Sequence, residues 1–278
     1  MKIITGIITY NPDIERLKEN IAAIENQVNK ILLIDNNSKN ILEIERLVNQ
    51  TPNVLLLKNE ENFGVARALN QQMEYAVAHE FDWVLTLDQD SVVPPNIVET
   101  YRLYCENEEL GVIACDLDYI GQHNKDRIKR TCKEEYVGAC ITSGSLTRVE
   151  AWERTEHYCE KMFIDEVDID FCNQIWRCGY KILRINTVRL LHELGKDSRL
   201  VNVMGKTIRI SNHSPLRNYY IARNMLLRGQ RNHCLRSQAK ELIRHIVAIN
   251  KYEHNRLKKN GMILLGIFHF IIGRFGKL

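Results

Sequence analysis

WVLTLDQDS, residues 83–91, runs five apolar or β-favouring residues straight into a carboxylate, an amide and a second carboxylate. A continuous apolar run of this length reads as a strand covered on both faces, and the polar group behind it marks an open strand end. Three similar runs precede it. Ile3–Thr9 is followed by Tyr10-Asn11, Lys30–Ile34 by Asp35-Asn36-Asn37-Ser38, and Val54–Leu57 by a polar cluster at 59–64. Between the runs the apolar spacing changes to that of a helix, at Ile14, Leu17, Ile21 and Ile24 and again at Ile41, Ile44, Leu47 and Val48. The spacing predicts helices over Ile14–Gln27, Ile41–Val48 and Ala66–His79. The resulting βαβαβαβ order predicts an α/β domain with a mostly parallel sheet and helices on both faces. Ligands of such sheets sit beyond the carboxyl ends of the strands, where all four polar clusters fall.

Farther along, Gly111–Cys115, Val137–Leu146, Lys181–Ile185 and Thr187–Leu191 read as strands, the second broken by a turn at Ser143-Gly144-Ser145. His123–Glu135 is highly charged and reads as a loop. Asp168–Arg177 reads as a helix that Gly179 closes, and Leu216–Arg228 and Gln238–Leu257 as further helices. The 278 residues suit one large domain, or a domain with an appendage. An apolar share of 45% and a charged share of 26% exclude collagen-like, disordered and polytopic membrane classes. The opening MKIITGIITYNP lacks the long apolar core and small-residue cleavage site of a secretory leader. Eight cysteines without a CxxC pair read as reduced thiols of a cytosolic protein. No GxxxxGK[ST], no GxGxxG after the first strand and no GxSxG is present, which removes P-loop, dinucleotide-binding and α/β-hydrolase readings.

The formal charge of +3 hides a polar split. Lys206–Leu278 holds 15 Lys+Arg against Glu241 and Glu253, a net of +13, so residues 1–205 carry a net of −10. We therefore divide the chain into a domain over 1–205 and a basic helical region over 206–278. Such a tail suits an anionic lipid surface, a polyphosphate or nucleic acid. Tyr219 and Tyr220 are the few aromatics interleaved with its charges, and no recognition motif is present, which argues against nucleic acid. Within the tail, MILLGIFHFII (262–272) is flanked by Lys258, Lys259, Arg274 and Lys277. Eleven residues fall short of the roughly 20 that cross a bilayer, but suit its interface. A buried helix or a homodimer contact fits the same periodicity.

Two acidic groups carry the chemistry. Asp88 and Asp90 flank Gln89 at the end of the fourth run, and hard carboxylate oxygens there suit Mg2+ or Mn2+ holding a diphosphate. MFIDEVDIDF (162–171) sets Asp165, Glu166, Asp168 and Asp170 in an apolar frame, where a carboxylate can be raised in pKa and act as a base. Asp168 also suits a helix cap and Asp170 a first-turn acid. His192, in LLHELG, is a candidate third metal ligand or phosphate contact.

The ordered set TYNP (9–12), LLIDNNS (32–38), NEENFGVARALN (59–70), LTLDQDS (85–91), SGSLTR (143–148), FIDEVDIDFCNQIWRCGY (163–180) and HELG (192–195) resembles the inverting glycosyltransferases of family 2, which have the GT-A fold. DQDS, SGSL, FID-x-VD and H-x-x-G are most similar to the bacterial rhamnosyltransferase branch. That branch moves L-rhamnose from dTDP-L-rhamnose onto polysaccharides, often on a lipid-linked acceptor. The resemblance implies that Thr9, Tyr10 and Asn11 border the nucleotide. Asp35 faces its base or ribose, on a turn shaped by Asn36, Asn37 and Ser38. Asn62 to Arg67 cover the nucleotide, Gly64 permitting close backbone approach, and Gln89, Ser143 and Gly144 belong to the donor cleft. Asp88 and Asp90 hold Mn2+ or Mg2+ on the donor diphosphate, with His192 beside it. Many members carry Glu-Asp before the helix where this chain has Asp165-Glu166. We expect Asp165 as base, Glu166 as second choice and Asp168 as cap or acceptor-positioning residue. Arg217 and Arg223, in RNYYIARN (217–224), are expected on the donor or lipid diphosphate, with helix packing as the plainer role. The expected location is peripheral, on the cytoplasmic face of the cell membrane. The same fold with a UDP-hexose or UDP-N-acetylhexosamine donor, and a non-catalytic nucleotide-sugar-binding protein, are the competing readings.

Overall fold

The computed structural model describes residues 1–119, 132–192, 199–203 and 206–278, with strand positions alone for Tyr119, His192 and the segments 199–203 and 206–209. Its first half repeats one unit: β1(Ile3–Thr9), α1(Ile14–Ile24), β2(Ile31–Asp35), α2(Ile41–Asn49), β3(Val54–Lys58), α3(Val65–Ala78) and β4(Trp83–Asp88). These four strands are parallel in the order β3-β2-β1-β4, and the register sets Thr9 beside Asp35 and Ile8 beside Asp88. The unbroken apolar runs follow from helices on both faces. Ile3, Ile7, Leu33 and Leu85 pack under α1 and α2 with Leu17, Ile21 and Ile44. Ile4, Leu32, Ile34 and Val84 pack on the other face with Leu69 and Met73 of α3.

The sheet continues through α4(Ile97–Arg102), β5(Leu110–Tyr119), β6(Glu134–Tyr136), β7(Ser145–Arg148), α5(Val149–Glu153), α6(Val167–Arg177) and β8(Lys181–His192), giving eight strands ordered β3-β2-β1-β4-β7-β5-β8-β6. β7 runs antiparallel between β4 and β5. The two strands expected over 181–191 are one strand. Its register against β5 jumps from Cys115↔Ile185 to Asp116↔Arg189, so a bulge takes up the residues between. Most of the charged loop expected over 123–135 lies outside the described residues; its end forms β6.

The tail begins with an antiparallel hairpin, β9(Arg199–Val203) and β10(Lys206–Ile210), so the 205/206 boundary falls between paired strands. Three helices follow: α7(Pro215–Arg231), α8(Leu235–Tyr252) and α9(Arg256–Ile271). Ser214 caps α7 by accepting from the Arg217 N–H, and Pro215 occupies its first turn. The helix expected to Leu257 stops at Tyr252. There Asn255 adopts a left-handed backbone (φ 55°) and buried Glu253 pairs with Lys259 at 2.7 Å. The apolar 262–272 segment lies almost wholly in α9, which packs along α7. A Cβ on Gly266 would sit 2.5 Å from the Tyr219 carbonyl, so a side chain there would push the helices apart. Ala222, Met225, Leu226, Leu242, Ile249 and Ile263 form a small core of the tail's own. Among the described residues no helix is long and apolar enough to cross a membrane.

Candidate active site

Three polar turns meet at the carboxyl ends of β2, β1 and β4. The carboxylate of Asp35 is buried and faces inward. It accepts from the Thr9 hydroxyl at 2.9 Å, from the Ser38 N–H at 2.8 Å and from the Ser38 hydroxyl. Asn11, at φ 49°, donates its N–H to Ser38 Oγ at 2.8 Å and accepts from the Lys39 N–H at 2.8 Å. Asn37 is left-handed too, at φ 63°. Thr9 is buried, so of the first turn Tyr10 presents an exposed ring. The Tyr10 N–H donates to Gln89 Oε1 at 2.8 Å, which ties this turn to the β4 end.

At that end the Asp88 N–H donates to Ser143 Oγ at 3.0 Å, and Ser143 also bonds Ser91 at 2.8 Å. The Gly144 N–H donates to the Thr86 carbonyl at 2.8 Å from a left-handed backbone, φ 76°. Ser143 and Gly144 therefore shape the acidic loop from behind. The Asp90 carbonyl is held by Arg16 Nε at 2.9 Å. Val92 and Leu191 exchange both backbone bonds at 3.3 Å, which brings the end of β8, and His192, beside this loop. The His192 side chain and Glu193–Gly195 lie outside the described residues. The donor set fits Mg2+ or Mn2+: Asp88 and Asp90 would offer hard carboxylate oxygens, and such ions take one or two carboxylates and complete their shell from phosphate and water. No cluster of three or more metal-ligating side chains forms among the described residues, so two carboxylates are what these residues offer.

The loop into α3 meets the acidic stretch directly. Asn62 Oδ1 accepts from the Gly64 N–H at 2.9 Å, and the Val65 N–H donates to the Phe163 carbonyl at 2.7 Å. Gly64 has φ 87°, and a Cβ there would lie 2.5 Å from Phe163 O, so this contact requires glycine. Arg67 pairs with Glu74 at 2.5 Å and Glu160 at 3.4 Å, which raises its pKa. It lines, with Asn62, Phe63 and Phe163, a cavity of about 480 Å³.

Residues 163–166 are backbone-strained. Phe163, Asp165 and Glu166 all have φ between 63° and 66°, a region L residues with side chains rarely occupy. α7 holds them there. Arg217 donates to Asp165 with Nη2 at 2.9 Å and Nε at 3.1 Å. Arg228 pairs with Glu166 at 2.5 Å, and Arg231 with fully buried Asp170 at 3.2 Å. Buried Asn224 donates to the carbonyls of Met162, Ile164 and Asp165 at 2.6, 2.7 and 3.2 Å. The expectation for Arg223 is corrected: it is fully buried and donates to the carbonyls of Lys161, Met162 and Gly276 and to the Tyr219 hydroxyl, so no diphosphate reaches it. Sequence reasoning missed Asn224, Arg228 and Arg231. Their signal was spacing: with Arg217 they recur at seven, four and three residues along one helix face.

Asp168 differs from its neighbours. It is half-buried in the first turn of α6, accepts from the Ile169 N–H at 2.9 Å, and pairs with no cation among the described residues. Burial pushes its carboxyl up from the ordinary range, against the lowering influence of backbone N–H groups and of Arg228. Burial also raises Glu166, with Arg228 pulling it back. Cys140 and Cys172, whose sulfurs are 3.9 Å apart, tie the loop that leads to Ser143 against α6. The segment 140–143 thus touches α6 at one end, through Cys172, and the acidic loop after β4 at the other, through Asp88 and Ser91. All eight cysteines are free thiols.

The family profile described as "Glycosyl transferase family 2" matches residues 5–168, from β1 to Asp168 itself. The chain belongs to that family. Among family relatives it is 26% identical over 241 residues to the dTDP-rhamnosyl transferase RfbF of Shigella flexneri, covering 82% of this chain and 79% of that one. It is 29% identical over 134 residues to an uncharacterized glycosyltransferase of Methanocaldococcus jannaschii, covering 46% and 45%. S. aureus TarS 1–349 in complex with UDP-GlcNAc superposes with a TM-score of 0.62 at 14% identity, over 98% of this chain and 81% of that chain. GalNAc-T7 with UDP, GalNAc and Mn2+ superposes at 0.57 and 14% identity, over 91% of this chain and 58% of that longer chain. These two likenesses speak for the fold, which is GT-A as expected.

Proposed function

We propose that this glycosyltransferase moves L-rhamnose from dTDP-L-rhamnose to a hydroxyl of a lipid-diphosphate-linked saccharide at the cytoplasmic face of a membrane, with inversion at the anomeric carbon. The observation that carries transfer is that one segment, 140–143, contacts both the loop that bears Asp88 and Asp90 and the helix α6 that bears Asp168. The donor rests on likeness to the Shigella rhamnosyl transferase over most of both chains.

The nucleotide lies over Tyr10, Asn11 and the Asp35–Ser38 turn, with the Asn62–Gly64 loop closing one side. Asp35 acts through the shape of that turn, since its oxygens are spent on Thr9 and Ser38. Asp88 and Asp90, with His192 as a candidate third ligand, would hold a divalent ion, which would supply charge neutralisation for the departing diphosphate. The acceptor oxygen attacks the anomeric carbon from the face opposite the diphosphate, and its proton passes to a carboxylate. We place that base at Asp168 rather than Asp165. Asp165 has its lone pairs on Arg217 and Glu166 pairs with Arg228, whereas Asp168 combines a raised pKa with no paired cation. Asp165 and Glu166 then shape the acceptor side.

A calorimetric donor screen tests this, with Mn2+ or Mg2+ present and then chelated. Metal-dependent binding of dTDP-rhamnose in preference to UDP-galactose, UDP-glucose and UDP-N-acetylglucosamine is the expected result. Selective binding of a UDP-sugar overturns the donor, and no donor binding by folded protein overturns transfer.

A further inference from the structure

We propose that the exposed faces of α8 and α9 form one surface that docks on an anionic lipid bilayer. α9 buries Lys259, Ile263, Gly266 and His269. Its opposite face carries Leu257, Leu264, Phe268 and Ile271 at spacings of seven, four and three, with Leu257 89% and Ile271 72% exposed. α8 presents Ile243 and Val247 one turn apart, both more than half exposed. The amides of Asn250 and Asn260 donate to each other at 3.3 and 2.8 Å. Asn250 lies one turn beyond Val247, and Asn260 one turn before Leu264, so the bridge sets the two exposed faces side by side. Soluble monomers rarely leave such faces uncovered.

Charge selects the occupant. Arg236, Lys240 and Lys251 share the face of Ile243 and Val247 by helical spacing, Arg244 flanks it, and Arg256 and Lys258 open α9; all six are exposed. Against them stands one exposed acid on these helices, Glu241, which pairs with Arg244. A second copy related by a two-fold axis would set this cationic rim against itself. A bilayer interface takes both parts, apolar side chains at the acyl boundary and cations at anionic headgroups. At 16 residues α9 lies in that interface and does not cross it. Because α7 packs on α9 and also holds Asp165, Glu166 and Asp170, docking would set the carboxylate loop at a fixed height above the lipid.

The test is co-sedimentation of the full chain with vesicles of phosphatidylcholine mixed with phosphatidylglycerol, or of phosphatidylcholine alone. Binding is expected to the mixed vesicles, at least about tenfold weaker to neutral ones and weaker again for Arg236→Glu/Lys240→Glu. Phe268→Glu/Ile271→Glu should lower partitioning by about a hundredfold, while Leu103→Glu, at an exposed leucine of the sheet domain, should not change it. Melting curves confirm that each variant is folded. No binding to mixed vesicles overturns the proposal, as does binding that Phe268→Glu/Ile271→Glu leaves unchanged. A dimer in light scattering that the same variant abolishes, in a chain that ignores vesicles, gives the face to a second copy and also overturns it. Donor binding is read separately, so failure of the sugar-transfer reading leaves this outcome distinct.

Discussion

The donor-side turns and the carboxylate loop sit side by side but are built by different means. At β1 and β2 the polar atoms satisfy one another within consecutive βα units: Thr9, Asn11, Asp35 and Ser38 are partners across at most 28 residues. The loop 163–166 has three left-handed residues with side chains, each costing about 1–3 kcal/mol unless the surroundings over-determine it. Its restraints come from α7, 52 residues downstream at Arg217 and 62 at Arg228. One region is a repeated local rule; the other is a splint. The lesson is that the tail is part of the candidate site, holding the acidic loop rather than touching a diphosphate through Arg223.

The sharpest test of that division is Asp168→Asn. It should lower kcat by about 10²–10⁴-fold with donor affinity unchanged, measured by steady-state rates and calorimetry, while Asp165→Asn has a much smaller effect. The opposite ranking would put the base on the splinted residue and break the comparison.

Next in size is Arg228→Gln, which leaves Glu166 buried without its cation and should cost about 3–5 kcal/mol of stability. Arg228 lowers the pKa of both Glu166 and Asp168, so its removal raises both. A raised carboxyl favours the folded state only when protonated. The stability loss should therefore be largest at neutral pH and shrink as pH falls through the raised Glu166 value. The acid limb of kcat/KM should move to higher pH. An unmoved limb would uncouple α7 from the base.

Gly64→Ala probes the seam between the two regions. Its strained φ and the 2.5 Å approach to Phe163 predict a loss of more than about 1 kcal/mol in melting experiments, with donor affinity and kcat falling together. A fall in donor affinity alone would mean the loops are not coupled there.

The smallest effect is expected for Arg217→Gln. Its ion pair with Asp165 is half-exposed on the arginine side, so stability should change by less than about 1 kcal/mol. Donor affinity should hold; a tenfold loss would return Arg217 to the diphosphate.

The first four strands and three helices were legible in sequence because their apolar period changes cleanly, and their observed bounds differ from expectation at the edges: α1 ends at Ile24 and α3 begins at Val65. The same logic split β8 in two, because a bulge imitates a turn when only local hydrophobicity is read. It also ran α8 on to Leu257, since neither the left-handed Asn255 nor the Glu253–Lys259 pair shows in periodicity. For the site, type and order of residues exposed the acidic groups, but not their states. Asp165, Glu166, Asp168 and Asp170 are interchangeable as letters; their arginine partners make them different.

By itself the sequence determined the parallel βα half, the position of polar clusters at its strand ends, and the charge contrast between body and tail. These follow from side-chain chemistry repeated at helix and strand periods, which neighbours in the chain suffice to decide. Tertiary structure alone decided which of the four carboxylates over 165–170 has no paired cation among the described residues, that Arg223 is interior, and that the exposed faces of α8 and α9 meet at Asn250 and Asn260. Each depends on ion pairs and hydrogen bonds between distant segments, and no local pattern encodes which partner a buried charge will meet.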